Sequence, residues 1–265
     1  MKLALISDVH GNLEALDAVL ADIDRRDPDS QLVCAGDVVG YGPDPEACIA
    51  RLRDRKAPCV IGNHEEMVLG RRDFSRCVHS GIVAAVWTRT HVSASAREYL
   101  ESLPPKVEAA PGVVVCHGNL ASADTYVSTP DRAAEALEQL RNHAPDAAVL
   151  VCGHTHHAVL YTREGGFDRM RDPGDRDLAP GVACLINPGA VGQAREGTRV
   201  VARYAVLDLD RRRVSFREVA YDHATTLRKM RAAKLVAQVI LLPPTGLRRW
   251  VEGWKTRWAR YRASR

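Results

Sequence analysis

Seven side chains with metal-binding donors stand in short polar motifs along the first 156 residues. The motifs are Asp8-Val-His10, Gly36-Asp37, Gly62-Asn63-His64-Glu65, His117-Gly118 and Gly153-His154-Thr-His156. The donors are carboxylate and amide oxygens and imidazole nitrogens, a set that suits Mn²⁺, Fe²⁺ or Zn²⁺ better than Cu(I) or an iron–sulfur cluster. Seven ligands are too many for one tetrahedral site but fit two metal ions with a shared bridge. Such a pair of ions acidifies water and stabilises an in-line displacement.

Each motif comes directly after a short apolar run, and five such runs predict strands: Lys2–Ser7, Gln31–Ala35, Cys59–Ile61, Val113–Cys116 and Ala147–Cys152. Helical patterns follow, with Asn12 placed to cap the first helix and Asp44-Pro45 to start the second. Strand, loop and helix in repetition predict a mostly parallel sheet flanked by helices. Because ligands bind at the carboxyl ends of strands in such sheets, the motifs should meet at one edge.

Outside the motifs, the predicted secondary structure changes from mainly helical to mainly β along the chain. Residues 66–103 are predicted to be helical, and Ser95-Ala-Arg-Glu98 has the form of a capping box. Further strands are predicted over 159–162, 183–187, 199–208 and 213–221. The intervening stretch 163–181, rich in Gly, Asp, Arg and Pro, is predicted to be a surface loop. The second half is therefore expected to be rich in β-structure.

Each motif alone also has an ordinary structural explanation. Asp8 and Asp37 suit loops and turns, Asn63 suits a helix cap, and a histidine after an apolar strand can be a buried core residue. It is the joint occurrence of five such loops at strand ends that favours a metal site. His79, His91, His143 and His223 lack such neighbours and are expected to be surface or packing residues.

Taken in order, the five motifs resemble those of the calcineurin-like metallophosphoesterase superfamily. Three longer segments look like its small bacterial phosphodiesterase branch: Asp8-Val-His10-Gly-Asn-Leu-Glu-Ala-Leu16, Gly36-Asp37-Val-Val-Gly-Tyr-Gly-Pro-Asp44-Pro45 and Asn187-Pro-Gly-Ala-Val-Gly-Gln193. The resemblance covers roughly residues 1–221. It implies an α/β fold, a four-layer α/β/β/α sandwich, and hydrolysis of a phosphoester by metal-bound hydroxide.

The resemblance also implies a role for each motif residue. Asp8, His10 and His156 would bind the first metal, Asn63, His117 and His154 the second, and Asp37 would bridge them. His64 would be a non-ligand histidine that stabilises the transition state or protonates the leaving-group oxygen, a task suited to imidazole near neutral pH. Glu65 could orient His64 by a hydrogen bond. Two divalent ions are expected, Mn²⁺ first, with Fe, Zn, Ni or Mg also compatible.

Three functional questions stay open on the sequence. The substrate could be a phosphodiester, a phosphomonoester or a dinucleoside polyphosphate, and it is compatible with a nucleotide-derived ester. The same fold could also serve as a catalytically idle protein-interaction scaffold, although the retention of His64 and all seven ligand types argues against that. The segment 187–193 could line the phosphate cleft or simply be a turn. Neither a Gly-x-x-x-x-Gly-Lys-Ser/Thr loop nor a Gly-x-Ser-x-Gly elbow occurs, which disfavours a nucleotide-cofactor fold and a serine hydrolase.

Composition indicates a cytoplasmic protein. The seven cysteines are odd in number and widely spaced, without a Cys-x-x-Cys pair, which favours a reducing compartment. The chain has no run of about 18 apolar residues that could cross a membrane. The N-terminal apolar run is too short for a secretory signal and is interpreted as a strand.

The C-terminal segment 222–265 differs from the predicted catalytic domain 1–221 in charge. It holds eleven Lys or Arg against two acidic residues, a net charge of +9, so the total of +4 leaves −5 for residues 1–221. Leu247, Trp250, Val251, Trp254 and Trp258 would share one face of a basic helix over 246–260. Such a helix could lie peripherally on an anionic membrane, dock on the domain or promote self-association. No specific nucleic-acid partner is predicted.

Overall fold

The structure, a computed structural model, describes residues 1–75, 77–193, 195 and 199–240. The predicted helix over 246–260 lies outside these residues. The described chain contains seven α-helices and a short 3₁₀ helix: α1 Leu13–Arg26, α2 Pro45–Asp54, α3 Asn63–Leu69, α4 His79–His91, α5 Ala94–Ser102, α6 Pro130–His143, α7 His223–Ala232 and the 3₁₀ helix Ala237–Ile240.

Eleven strands form two sheets in the described residues. They are β1 Lys2–Ile6, β2 Gln31–Cys34, β3 Lys106–Ala110, β4 Val113–Cys116, β5 Val149–Val151, β6 Ala158–Thr162, β7 Gly166–Arg169, β8 Gly174–Asp177, β9 Cys184–Pro188, β10 Ala202–Asp208 and β11 Arg213–Val219. The first sheet has the order β2-β1-β10-β11-β8 and the second β3-β4-β5-β9-β6-β7. Among the described strands, the parallel pairs are β1 with β2, β4 with β5 and β5 with β9.

The predicted fold class is confirmed, because three apolar interfaces separate four layers. In β1, Ala4 and Ile6 face the helices while Leu3 and Leu5 pack between the two sheets, the alternation expected of a strand buried on both faces. In β4, the alternate residue Val114 faces the helix on the opposite side, where Leu137 and Leu140 of α6 complete the third interface. The layers are therefore helices, sheet, sheet and helix.

Five local predictions are wrong in detail. The sheets are mixed rather than mostly parallel, because β10 returns antiparallel to β1. Residues 59–61 form only an isolated bridge, Cys59 with Cys34. The predicted loop 163–181 contains β7 and β8, and the helical stretch 66–103 is broken into three helices. Ser93 rather than Ser95 caps α5, accepting a hydrogen bond from the Ala96 amide at 3.1 Å.

The helix α7, which opens the predicted C-terminal segment, packs on α1. The Thr226 hydroxyl donates to Glu14 at 2.8 Å and to Asn12 at 3.1 Å, and Lys229 donates to Asp44 at 3.0 Å. Asn12 also caps α1, as predicted, by accepting from the Ala15 amide. No helix in the described ranges is long and apolar enough to cross a membrane.

Candidate functional site

The seven predicted ligands converge at one edge of the two sheets, and all are buried. Asp8 and His10 follow β1, Asp37 follows β2, His117 follows β4, and the pair His154 and His156 follows β5; Asn63 is the first residue of α3. The segments that carry them lie far apart in sequence. Parallel pairing of β1 with β2 and of β4 with β5 brings their carboxyl ends together, which is why the motifs meet.

Asp37 lies at the centre of the group. Its Oδ2 is 3.2 Å from His117 Nε2 on one side and 3.8 Å from His10 Nε2 on the other. Its Oδ1 accepts a hydrogen bond from the backbone N–H of His64 at 2.9 Å. One carboxylate therefore faces both halves of the predicted ligand set.

The remaining ligands divide into two groups on either side of Asp37. In one group, His156 Nε2 lies 3.2 Å from Asp8 Oδ1 and 3.1 Å from His10 Nε2. In the other, the ligand atoms of Asp37, His117 and His154 all lie within 4.8 Å of one another. Asn63 Oδ1 is 3.1 Å from His117 Nε2 and joins this second group. The division matches the two predicted ligand sets.

Backbone carbonyls fix the orientation of three imidazoles. The Nδ1 atom lies 3.2 Å from Val39 O in His10, 2.7 Å from Ala35 O in His117 and 3.0 Å from Gln193 O in His156. With Nδ1 engaged on the outside, Nε2 of each ring faces the centre of the site, the arrangement found around metal-ligating histidines. His154 Nε2 is buried without a hydrogen-bond partner among the described residues. These donors fit divalent cations.

The electrostatics of the site favour neutral imidazoles at most ligand positions. Burial lowers the pKa of His10 and His156, and burial together with His117 lowers the pKa of His154 to about 3. Neutral imidazole is the form that binds a metal. His117 is the exception: burial opposes its charge, but Asp37 raises its pKa to about 10. Burial would raise the pKa of Asp8, yet His156 holds it well below its usual range.

Five of the seven predicted ligands have left-handed backbone conformations. Their φ angles are 53° at Asp8, 52° at His10, 55° at Asp37, 66° at His154 and 62° at His156. A positive φ at a residue other than glycine costs on the order of 1–3 kcal/mol and persists only where the surroundings impose it. The strained backbone therefore coincides with the candidate metal site, as it does at many functional sites.

Two glycines keep space for this arrangement. A Cβ atom on Gly62 would lie 2.2 Å from Asp37 Oδ1, and one on Gly40, whose φ is +93°, would lie 2.1 Å from His64 Nδ1. Any side chain at either position would displace Asp37 or His64. The glycines beside the motifs are therefore required by close approach to the site as well as by the turns.

Glu65 does not orient the His64 side chain, contrary to the prediction. Its Oε2 accepts from the backbone N–H groups of Asp37 at 2.9 Å and Gly62 at 2.8 Å, and its Oε1 accepts from Val39 at 3.0 Å. Burial raises the pKa of Glu65 to about 7, as does the nearby Asp37 carboxylate, while the amides of Val39 and Gly62 act in the opposite direction. Glu65 holds the loop that carries the central carboxylate.

We expect Glu65→Gln to destabilise the fold by about 1–3 kcal/mol, because an amide NH₂ would face a buried backbone N–H and leave it unsatisfied. Urea unfolding of the metal-free protein would measure the change. Glu66→Gln is the matched control on the same helix. Glu66 pairs with Arg72 at a half-buried position, where the loss should be at most about 1 kcal/mol. Equal losses for the two variants would contradict the role of Glu65.

His64 lies beside the predicted ligands. Its ring centroid is 4.7 Å from those of His10 and Tyr41. Burial lowers its pKa, and its Nδ1 has no hydrogen-bond partner among the described residues. Its ligand atom also lies within 4.8 Å of those of Asp37 and His10, so geometry alone allows His64 either a ligand or a non-ligand role.

Three residues next to the site were missed from the sequence. The Tyr41 ring is 4.7 Å from that of His10, and the Tyr126 ring is 4.1 Å from that of His154. Arg195 donates to the side chain of Gln193 at 3.2 Å. Tyr41 could have been suspected, since it stands between two glycines in Gly40-Tyr41-Gly42, but no pattern in the sequence indicates Tyr126 or Arg195.

The segment 187–193 holds two of the loops that carry predicted ligands. The Asn187 amide donates to Gly153 O at 2.7 Å, next to His154, and the amide of Gly192 donates to Asp8 O at 2.9 Å. Asn187 and Pro188 end strand β9 rather than forming a free turn. This segment therefore ties the loops after β1 and β5 to one another.

Comparison with known proteins gives consistent matches. The family model for the calcineurin-like phosphoesterase superfamily domain matches residues 1–212. An uncharacterised protein of Methanocaldococcus jannaschii is 32% identical over 224 residues, which cover 83% of this chain and 88% of that protein.

Two solved structures extend the comparison. A metallophosphoesterase from Sphaerobacter thermophilus has a TM-score of 0.78 and 34% identity, covering 91% of this chain and 98% of that one. A hypothetical protein from Pyrococcus horikoshii has a TM-score of 0.66 and 20% identity over 90% of this chain and 96% of that one, a similarity of fold alone.

Proposed function

Because the chain belongs to the calcineurin-like phosphoesterase superfamily and is by that membership a phosphoesterase hydrolase, we propose that it is a dinuclear metal-dependent phosphodiesterase. Asp8, His10 and His156 hold one divalent ion, and Asn63, His117 and His154 hold the other. Asp37 bridges the two, and His64 serves the leaving group.

The position of Asp37 carries the proposal. Its Oδ2 lies between His10 Nε2 and His117 Nε2, which belong to different halves of the ligand set. A carboxylate that faces both halves can be shared by two cations, whereas a single-metal site would leave half of these buried donors without a function. The Nε2 atom of His154, which has no hydrogen-bond partner within the described ranges, supports the same conclusion.

When bound, the two ions supply Lewis acidity to the phosphoryl group and acidify the attacking water. The chain's own residues supply orientation. The carbonyls of Ala35, Val39 and Gln193 hold three rings in the ligating direction, and burial keeps competing water away from the donors. His64 has a ring nitrogen without a hydrogen-bond partner in the part of the chain that the structure describes, and with it His64 can donate a hydrogen bond or a proton to the departing oxygen.

The expected substrate is a phosphodiester, on the resemblance to the bacterial phosphodiesterase branch. With Mn²⁺, we expect bis(p-nitrophenyl) phosphate to be hydrolysed at least about tenfold faster than p-nitrophenyl phosphate, a difference of about 1.4 kcal/mol in activation free energy. Stopped assays that add cyclic nucleotides and dinucleoside polyphosphates to the panel would test this. Faster turnover of the monoester or of the polyphosphate would replace the diester assignment. No turnover of any ester by metal-loaded protein would support the idle-scaffold alternative.

Metal identity, compartment and the C-terminal helix stay predictions. The oxygen and nitrogen donors support Mn²⁺ first, with Fe, Zn, Ni or Mg compatible. The seven cysteines, all within the described residues, form no disulfide bond, which supports a reducing compartment such as the cytoplasm. Peripheral membrane contact or self-association through residues 246–260 rests on the sequence pattern alone.

A further inference from the structure

Arg195 lies at the edge of the candidate metal site. Its Nη2 donates to Gln193 Oε1 at 3.2 Å, and the backbone carbonyl of the same Gln193 accepts from the ring of His156 at 3.0 Å. The guanidinium also forms a side-chain hydrogen bond with Tyr126, whose ring lies 4.1 Å from that of His154. Arg195 is thus joined through one intermediate residue to each of two predicted ligands.

The charge of Arg195 also reaches other groups of the site. It contributes to lowering the pKa of His156, after the larger effect of burial, and makes a smaller contribution at His64, after burial, His117 and His156. It also interacts with Tyr41, whose ring lies next to those of His10 and His64. These interactions agree with the contact to Gln193, which places the guanidinium next to the residue whose carbonyl orients His156.

No carboxylate within the described residues neutralises this guanidinium by an ion pair, and its recorded hydrogen bonds go to neutral side chains. Other arginines of the chain do have such partners: Arg51 pairs with Asp17 at 2.8 Å, Arg55 with Asp24 at 2.6 Å and Arg199 with Glu218 at 3.1 Å. Burial opposes the charge of Arg195, but Tyr41 and other nearby groups raise its pKa, so the guanidinium stays charged and can take an anion. Arg195 is the kind of residue that binds a phosphate, because its planar fork matches two phosphoryl oxygens.

We propose that Arg195 binds a non-bridging oxygen of the substrate's phosphoryl group, with Tyr126 and Gln193 holding the guanidinium in place. This assignment rests on the proposed function of the site and adds a substrate contact beyond the predicted metal ligands. Substrate and transition state both carry negative charge on these oxygens. Arg195 therefore lowers KM and, as charge on the oxygens grows, also raises kcat.

Binding of inorganic phosphate tests the assignment without turnover. Isothermal titration of Mn²⁺-loaded protein with phosphate should show at least about a tenfold loss of affinity in Arg195→Gln, the usual effect of removing a charge-assisted hydrogen bond. The phosphate affinity of Arg195→Lys should lie between those of the wild type and Arg195→Gln, because lysine keeps the positive charge but lacks the planar fork of the guanidinium. Tyr126→Phe, which removes the hydroxyl that holds Arg195, should show a smaller loss than Arg195→Gln. Metal content should be unchanged in all three variants.

Arg199→Gln is the control, because Arg199 is nearby in sequence, exposed and paired with Glu218. It should bind phosphate like the wild type. Wild-type affinity in Arg195→Gln, or no phosphate binding by the wild type, would overturn the assignment. If phosphate binding depends on Arg195 while no phosphoester is hydrolysed, the proposed catalytic function fails and the anion site stands.

Discussion

Replacing Asp37 with Asn should lower the metal content from two ions to one or fewer and reduce turnover of bis(p-nitrophenyl) phosphate by at least about a thousandfold. Asp37 Oδ2 faces both His10 and His117, so an amide in its place loses the negative charge and puts an NH₂ group in place of one of the two carboxylate oxygens. Removing one hydrogen-bond donor to a developing oxyanion already costs roughly 10²–10³ in rate. Loss of the bridge should cost more, since it affects both ions.

Metal analysis by mass spectrometry and steady-state kinetics on the same preparation would measure the two effects of Asp37→Asn. Asp22→Asn is the matched control, because Asp22 is also a buried carboxylate but lies near the C-terminal end of α1, where it accepts a hydrogen bond from Tyr204 at 2.7 Å. It should lose stability while it keeps both ions. Two ions retained in Asp37→Asn would show that Asp37 is not the bridge.

Replacing His64 with Ala should leave two ions bound and reduce kcat by about 10²–10⁴, the range for loss of a general acid or base. His64 is buried next to His10 and Tyr41, and one of its ring nitrogens has no hydrogen-bond partner among the residues that the structure describes. Alanine lacks the imidazole that serves the leaving-group oxygen, while all seven predicted metal ligands are retained.

The same variant decides between the two roles that geometry allows for His64. If the metal content of His64→Ala falls together with turnover, His64 is a ligand, since its nitrogen lies within 4.8 Å of the ligand atoms of Asp37 and His10. Unchanged metal and unchanged kcat would remove His64 from the mechanism. His91→Ala, at an exposed histidine stacked on Trp87, should change neither quantity.

The sequence predicted which side chains converge at one sheet edge better than it predicted how the strands pair. Each motif follows an apolar run, and the rule that strand ends meet at one edge was sufficient to gather Asp8, Asp37 and His154, although their roles as ligands stay a prediction. Strand pairing was harder. Nothing local in residues 202–208 indicates that β10 inserts beside β1, because such a pairing is set by sequence-distant contacts, the same reason that β-propensity depends on context.

Residues outside the motifs were missed for a different reason. Arg195 and Tyr126 come from loops whose spacing follows no helix or strand period, so their proximity to His154 and His156 depends on the whole fold. The loop 163–181 was misjudged because its strands β7 and β8 are only partly buried and mostly polar, so that they lack the apolar alternation by which strands are found. Glu65 was identified as important, but its partners are backbone groups that sequence cannot show.

The supports of the three oriented imidazoles are main-chain oxygens, and this has an evolutionary consequence. Ala35, Val39 and Gln193 contribute carbonyls, which every amino acid possesses. Point substitutions at these positions would therefore leave ring orientation intact as long as the loop keeps its path. We therefore expect these three positions to tolerate different side chains during evolution. Insertions or deletions in the same loops would move the carbonyls and should be selected against.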